Sequence, residues 1–225
     1  MGEYAALVFA GSVSFENAVR LIKVRSQAMQ EACDLVDSAM VTALGRSTTR
    51  FKRACEYARN HLKRQKLIEE PVCSVSAYLC PNMVTIAGHT EAIRYLREHK
   101  DDLDIRKIIP IPVSGAFHTK LMRTARAKLR AALKDVLIEP PLVDVYSNCT
   151  GKVYEGPDEI ARSLPQQVVQ SVKWEQTVHN FLRGCGQGSL PHLYEVGPGQ
   201  QLGALVRQCN GRAFKQYLAV NPIAK

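Results

Sequence analysis

Residues 108–119, IIPIPVSGAFHT, pass from an apolar, β-branched run into a loop that contains a glycine and a histidine. The run at 108–113 predicts a short buried strand, with its prolines near the strand ends. His118 would then lie just beyond the end of a strand, where α/β folds place general bases. An ordinary loop histidine with a local hydrogen bond is the commoner case, and this stretch alone favours it.

Composition indicates a globular protein. The chain has 225 residues, of which 46% are hydrophobic and 23% charged, as in ordinary globular domains. It contains no apolar run long enough for a membrane span and no secretory signal pattern. Its seven cysteines are scattered, odd in number and never in a C-x-x-C pair, which argues against a zinc site or a disulfide framework and favours a reducing compartment.

The formal net charge is +9, and many of the basic residues fall on expected helices at 47–66 and 119–136. Such a surface attracts nucleic acid, an acidic protein or an anionic membrane. No RNA-binding aromatic motif or zinc finger accompanies the charge, so we expect no nucleic-acid partner. For any single cluster a solvated helix face is the commoner explanation.

The order of expected elements divides the chain into two units. Residues 37–111 follow the order β-α-β-β-α-β, which predicts a ferredoxin-like small subdomain. Residues 1–36 and 112–225 alternate strands with helices, including a strand at 142–147, and predict a larger domain built on a parallel sheet covered on both faces. The small subdomain is therefore inserted into the larger one.

One charged residue interrupts the apolar stripe of the helix expected at about 15–34. Ser14 is the expected N-cap, and Arg25 lies on the same face as Leu21 and Ile22. A guanidinium that faces a core needs an anionic partner. From spacing alone, an internal carboxylate and a substrate carboxylate are equally good candidates.

Several stretches together resemble the malonyl-CoA:acyl-carrier-protein transacylases of type II fatty-acid synthesis, most of all the mitochondrial animal form. Each stretch is a weak match, but they occur in family order across essentially the whole chain. They are residues 2–11 (GEYAALVFAG), 24–25 (VR), 28–30 (AMQ), 86–89 (IAGH), 112–119 (PVSGAFHT), 146–148 (YSN), 172–177 (VKWEQT) and 195–199 (EVGPG).

The resemblance implies an α/β-hydrolase-like acyltransferase domain that transfers malonyl through a serine ester. His118 matches the family's catalytic histidine, and Gln167 the residue whose backbone carbonyl orients that ring. Arg25 matches the arginine that clamps the malonyl carboxylate by two hydrogen bonds. Phe117 matches the Ala-Phe-His form typical of malonyl-selective enzymes.

The resemblance also implies partners and a location. It implies malonyl-CoA as substrate, acyl carrier protein as partner, no metal or redox cofactor, no membrane span, a monomer and the mitochondrial matrix.

The sequence departs from the family at its first residues. Gly2 matches the last glycine of the G-x-S-x-G nucleophile elbow and Met1 the residue before it, so the serine would precede Met1 and the Met1 amide would be an oxyanion donor. We therefore expect the chain as given to be inactive.

The sequence also allows an alternative nucleophile and an alternative function. Ser114, Ser147 and Cys149 are weak substitute nucleophiles, and a structural role is the commoner one for Cys149. A non-catalytic short form that binds acyl carrier protein or CoA is the main alternative function.

Overall fold

The computed structural model describes residues 2–185 and 190–221. Its elements in chain order are α1 (Gly2–Phe9), α2 (Phe15–Asp34), β1 (Ser38–Gly45), α3 (Phe51–Arg64), β2 (Cys73–Cys80), β3 (Met83–His89), α4 (Thr90–Glu98), β4 (Ile105–Ile111), α5 (Arg123–Ala132), α6 (Pro157–Gln167), β5 (Val172–Lys173), α7 (Trp174–Gly184), β6 (Leu193–Val196), α8 (Gln201–Cys209) and β7 (Tyr217–Val220).

The segment from β1 to β4 forms the expected ferredoxin-like unit. Its strands lie in the order β4-β1-β3-β2, and all three pairings among them are antiparallel. α3 buries Ala54, Ala58 and Leu62, spaced four residues apart on one helix face, while most of its basic residues are exposed. These side chains and those of α4 share one core with the sheet. The boundaries at 36/37 and 111/112 stay a prediction.

A second core lies among α1, α2, α5 and α6 and is separate from the first. It is built on fully buried residues such as Leu7, Leu21, Leu129, Ile160 and Leu164. α2 begins at the expected cap, because the Ser14 side chain accepts a hydrogen bond from the Asn17 amide.

A short strand joins the two units. β5 pairs in parallel with β2, at Ala77↔Val172 and Tyr78↔Lys173. Just before it, the Ser171 hydroxyl donates to the Val75 carbonyl at 2.6 Å. The chain after α6 is thereby fixed against the small subdomain, which brings the end of α6 beside the loop that carries His118.

The C-terminal part contains a parallel pair of strands, as expected, but the prediction that the sheet is covered on both faces is wrong here, because Tyr194 and Val196 are 60% and 75% exposed. β6 and β7 lie side by side in parallel, with α8 between them in sequence. Parallel neighbours require a crossover connection of this kind.

The predicted strand at 142–147 does not form. Tyr146 makes only an isolated bridge with Val153, and Leu142 is 84% exposed. The Leu142 amide donates to the Ala10 carbonyl at 2.8 Å. The backbone of this stretch therefore bonds to the turn after α1 at Leu142. Further on, the Val145 carbonyl accepts from the Tyr154 amide at 2.9 Å and the Ser147 amide donates to the Lys152 carbonyl at 2.8 Å.

The strand expected at 108–113 forms in part, as the end of β4, but the prediction that it is buried is wrong. Among the described residues β4 lies at the edge of the sheet and pairs with β1 alone, and Ile109 is 39% exposed. Pro110 has no N–H to donate to a second neighbour, which suits an edge. A β-branched apolar run does not by itself distinguish an edge strand from a central one.

The helix expected at 119–136 is divided. Lys120–Met122 and Leu133–Asp135 are 3-10 turns on either side of α5. The helix expected at 47–66 is shorter than predicted and forms α3.

Candidate active site

The loop between β4 and α5 is held at several points. A Cβ added to Gly115 would lie 2.3 Å from Cys33 Sγ, so only glycine allows this approach to α2. The Ala116 amide donates to Ser38 Oγ at 3.1 Å, and the Thr119 hydroxyl donates to the Ala116 carbonyl at 2.7 Å. These contacts fix the backbone on both sides of His118.

His118 has a φ of +60°, a left-handed conformation that costs a non-glycine residue on the order of 1 kcal/mol. Its Nδ1 lies 2.6 Å from the backbone oxygen of Gln167. A carbonyl oxygen only accepts hydrogen bonds, so Nδ1 carries the proton. When the ring is neutral, Nε2 then presents its lone pair, as a general base requires.

The Gln167 carbonyl is available because α6 ends there. The last carbonyls of a helix have no partner within the helix. The amides of Val169 and Gln170 both donate to the Gln166 carbonyl, each at 3.0 Å. The Gln167 oxygen instead accepts a hydrogen bond from His118 Nδ1.

Arg25 lies on the buried face of α2, as its spacing predicts, and is 8% exposed. Its Nη2 donates to the side-chain oxygen of Gln167 at 3.2 Å. One buried glutamine thus contacts both functional side chains, His118 through its backbone and Arg25 through its amide.

Sequence reasoning missed Glu3. This residue is 5% exposed, and its carboxylate accepts a hydrogen bond from Gln167 Nε2 at 3.1 Å. In the sequence it lies in the first turn of a helix, where the helix dipole favours an acidic residue whether or not that residue is buried. No local signal marks it as buried.

Burial dominates the electrostatics of the site. It lowers the pKa of His118, and the Arg25 charge lowers it further, while the Gln167 carbonyl opposes both. Burial also lowers the pKa of Arg25, against the effect of Tyr4 and Glu3, but a guanidinium stays charged at neutral pH. At pH 7 the site therefore combines a neutral imidazole with a fixed positive charge.

His118 lies on the wall of a cleft of about 600 Å³ between the two units. The cleft is strongly basic, with Lys52, Arg59, Lys120 and Lys173 on its walls. Arg59 and Lys120 also line an adjoining cleft of about 500 Å³. This charge suits an anionic ligand or partner.

Phe117 is half-buried. It packs against the core among α1, α2, α5 and α6 and against a small cluster of Met40, Ala87 and Ala116. Its expected part in selecting the substrate stays a prediction.

The substitute nucleophiles lack activation. Burial raises the pKa of the Cys149 thiol to about 11, so it is not a thiolate at neutral pH. Ser147 is fully buried with its hydroxyl 3.1 Å from that of Ser163. Ser114 contacts Cys33 Sγ at 3.9 Å. Met1, the expected oxyanion donor, lies outside the described residues.

No group of three or more His, Cys, Asp or Glu side chains that could hold a metal ion occurs in the described parts, 2–185 and 190–221. Among the helices of the same residues, none is both long and apolar enough to cross a bilayer.

The family model of the acyl transferase domain matches residues 1–189. The chain belongs to the acyl transferase domain family. It is 47% identical over 98% of its length to the mitochondrial malonyl-CoA-acyl carrier protein transacylase of Homo sapiens, and 34% identical over 92% to the malonyl CoA-acyl carrier protein transacylase of Escherichia coli K12. It spans 56% of the first relative and 63% of the second.

Solved structures that are similar to this chain agree with the family assignment. The malonyl CoA-acyl carrier protein transacylase of Coxiella burnetii is similar with a TM-score of 0.83 at 28% identity, over 97% of this chain and 64% of that one. A malonyl-transacylase in complex with a type II PKS acyl-carrier protein is similar with a TM-score of 0.81 at 28% identity, over 97% and 66%. These likenesses confirm the α/β acyltransferase fold with its ferredoxin-like subdomain.

The lowered pKa of His118 predicts a pH dependence of stability. The folded state holds the imidazole neutral, whereas the unfolded chain takes up its proton below about pH 6.5. The stabilisation by neutral His118 is therefore fully present above that pH and is lost as the pH falls toward the folded-state value.

We expect the free energy of unfolding to fall less between pH 7 and pH 5 in His118→Asn than in the wild-type chain. Urea unfolding at a series of pH values measures this, and the pH 8 values give the offset from the lost hydrogen bond. Equal pH dependence in both chains would contradict burial of the neutral form.

Proposed function

We propose that this chain supplies the histidine and arginine side of a malonyl transfer site, in a protein that moves malonyl from CoA to acyl carrier protein. The observation that supports this most is the double contact of Gln167 with His118 and Arg25. It joins a proton-accepting imidazole to a cation in one buried site. Transfer of a group with a free carboxylate needs both.

His118 would move the proton in each half of the reaction. In the first half its Nε2 takes the proton of a serine hydroxyl as the serine oxygen attacks the thioester carbon. The carbon–sulfur bond then breaks, and the CoA sulfur leaves with that proton. In the second half, Nε2 takes the proton of the phosphopantetheine thiol, the sulfur attacks the ester, and the serine recovers the proton.

Arg25 would recognise the acyl group. Malonyl carries a terminal carboxylate and acetyl does not, and a guanidinium binds a carboxylate by two parallel hydrogen bonds. A charged hydrogen bond of this kind contributes about 1.5–3 kcal/mol. The proposed reaction uses no electron transfer and needs no metal or redox cofactor.

The serine is the part that this sequence does not contain. No G-x-S-x-G pattern occurs among the 225 residues. We propose that the 225-residue chain alone does not form the serine ester, and that the ester forms where an elbow serine is present ahead of Gly2. Such a protein would act as a monomer, and it would be mitochondrial like the human and mouse transacylases to which the chain is similar.

A second candidate is a binding protein without catalysis, which engages acyl carrier protein or CoA through the basic cleft beside His118. The four cationic side chains on that cleft favour an acidic or phosphorylated partner. Both candidates share the cleft, and only the first uses His118 as a base.

The Arg25 proposal predicts a change in ligand preference. Arg25→Gln should weaken malonyl-CoA binding by about tenfold or more, because a charged contact to the malonyl carboxylate is lost. Acetyl-CoA binding should change by less than about twofold. Isothermal titration of the 225-residue chain with each ligand measures both.

Arg20→Gln is the matched control, since Arg20 is an exposed arginine on the same helix. A wild-type chain that binds both ligands equally, or an Arg25→Gln chain that keeps the preference, would contradict the proposal.

Intact mass tests the place of the serine. The recombinant 225-residue chain, of 25.0 kDa, should gain no malonyl adduct on exposure to malonyl-CoA. If the endogenous protein is well above 25.0 kDa and carries malonyl on a serine ahead of Gly2, the transferase proposal holds. An endogenous mass near 25.0 kDa without an adduct favours the binding protein, and a serine adduct on the recombinant chain would overturn the account of inactivity.

A further inference from the structure

The buried carboxylate of Glu3 accepts four hydrogen bonds from residues far from α1 in the sequence. Its Oε1 accepts from the Asn148 amide at 2.9 Å and from the Tyr154 hydroxyl at 2.7 Å. Its Oε2 accepts from Asn148 Nδ2 at 3.2 Å and from Gln167 Nε2 at 3.1 Å. Four donors from residues about 145 to 164 positions away thus meet on one carboxylate.

The contact with Gln167 sets the orientation of its amide. An ionised carboxylate only accepts hydrogen bonds, so the NH₂ of Gln167 must face Glu3. The amide oxygen is then turned toward Arg25, which donates to it at 3.2 Å. The opposite orientation would bring donors together at Arg25 and two acceptors together at Glu3.

The negative charge of Glu3 also helps to hold Arg25 in the buried site. The negative charge of Glu3 favours the charged form of Arg25, against the cost of burial. Removing a buried counter-charge is expensive, because the remaining charge is then left in a poorly solvated site. A guanidinium that loses this support is expected to move toward solvent.

We propose that Glu3 is a positioning residue for acyl recognition, whose buried carboxylate fixes the Gln167 amide and so holds the Arg25 guanidinium in place for a substrate carboxylate. Glu3 acts through Gln167 and does not touch the substrate. The inference rests on the proposed function, since it assigns the support of the malonyl contact. It predicts that selectivity for carboxylate-bearing acyl groups depends on a residue outside the contact itself.

Glu3→Gln is the direct test. The variant keeps the shape of the side chain but replaces one acceptor oxygen by an NH₂ and removes the charge. We expect malonyl-CoA binding by the 225-residue chain to weaken by about tenfold or more, as when a charged buried contact is lost. Acetyl-CoA binding should change by less than about twofold, so the preference between the two ligands falls.

The control separates positioning from stability. Ser12 is equally buried, in the turn after α1, and its hydroxyl donates to the Glu139 carbonyl at 2.6 Å. Ser12→Ala removes that bond away from Gln167. It should lower the urea midpoint as a buried polar deletion does, but leave the preference for malonyl-CoA intact. If Glu3→Gln lowers the midpoint and also keeps the preference, Glu3 is structural only and the inference fails.

A second variant covers the case in which Glu3→Gln does not fold. Gln167→Met keeps the backbone carbonyl for His118 and nearly the same volume, but it has no amide to join Glu3 to Arg25. It should show the same loss of preference, and a folded Gln167→Met chain with wild-type preference would overturn the inference. A wild-type chain that binds malonyl-CoA and acetyl-CoA equally would contradict both the proposed function and this inference. If Arg25→Gln loses the preference for malonyl-CoA but Glu3→Gln and Gln167→Met keep it, the inference alone is contradicted.

Discussion

The hydrogen bond from His118 Nδ1 to the Gln167 carbonyl is the interaction on which the candidate site depends. It connects a loop after the small subdomain with the end of α6, almost fifty residues further along the chain. It places the proton of the neutral ring on Nδ1 and leaves Nε2 unprotonated, while burial lowers the pKa of the ring and so favours the neutral form. A helix end supplies the acceptor, because its final carbonyls have no partners within the helix.

The rest of the fold places the two ends of that bond. The parallel pairing of β5 with β2 fixes the chain beyond α6 against the small subdomain. Gly115 lets the histidine loop lie against α2, the helix that also carries Arg25. The imidazole and the guanidinium therefore contact the same glutamine, one at its backbone oxygen and the other at its side-chain oxygen, and the basic cleft opens beside the imidazole.

The sequence predicts the parts of this site that follow local patterns. Arg25 interrupts an apolar helical stripe, so its burial is visible from periodicity. His118 stands out only through the ordered set of family motifs, and the backbone role of Gln167 comes from the resemblance alone. Glu3 could not be found, because its burial comes from donors at Asn148, Tyr154 and Gln167 that only the tertiary fold brings to it. The edge position of β4 could not be predicted for a similar reason, since an apolar run does not show how many neighbouring strands it pairs with.

The tautomer of His118 tests the central claim most directly. Long-range ¹⁵N–¹H NMR of the 225-residue chain at pH 7.5, with the ring assigned by its loss in His118→Asn, distinguishes protonated from unprotonated ring nitrogens. We expect a protonated Nδ1 and an unprotonated Nε2. A ring protonated at Nε2, or at both nitrogens, would contradict it.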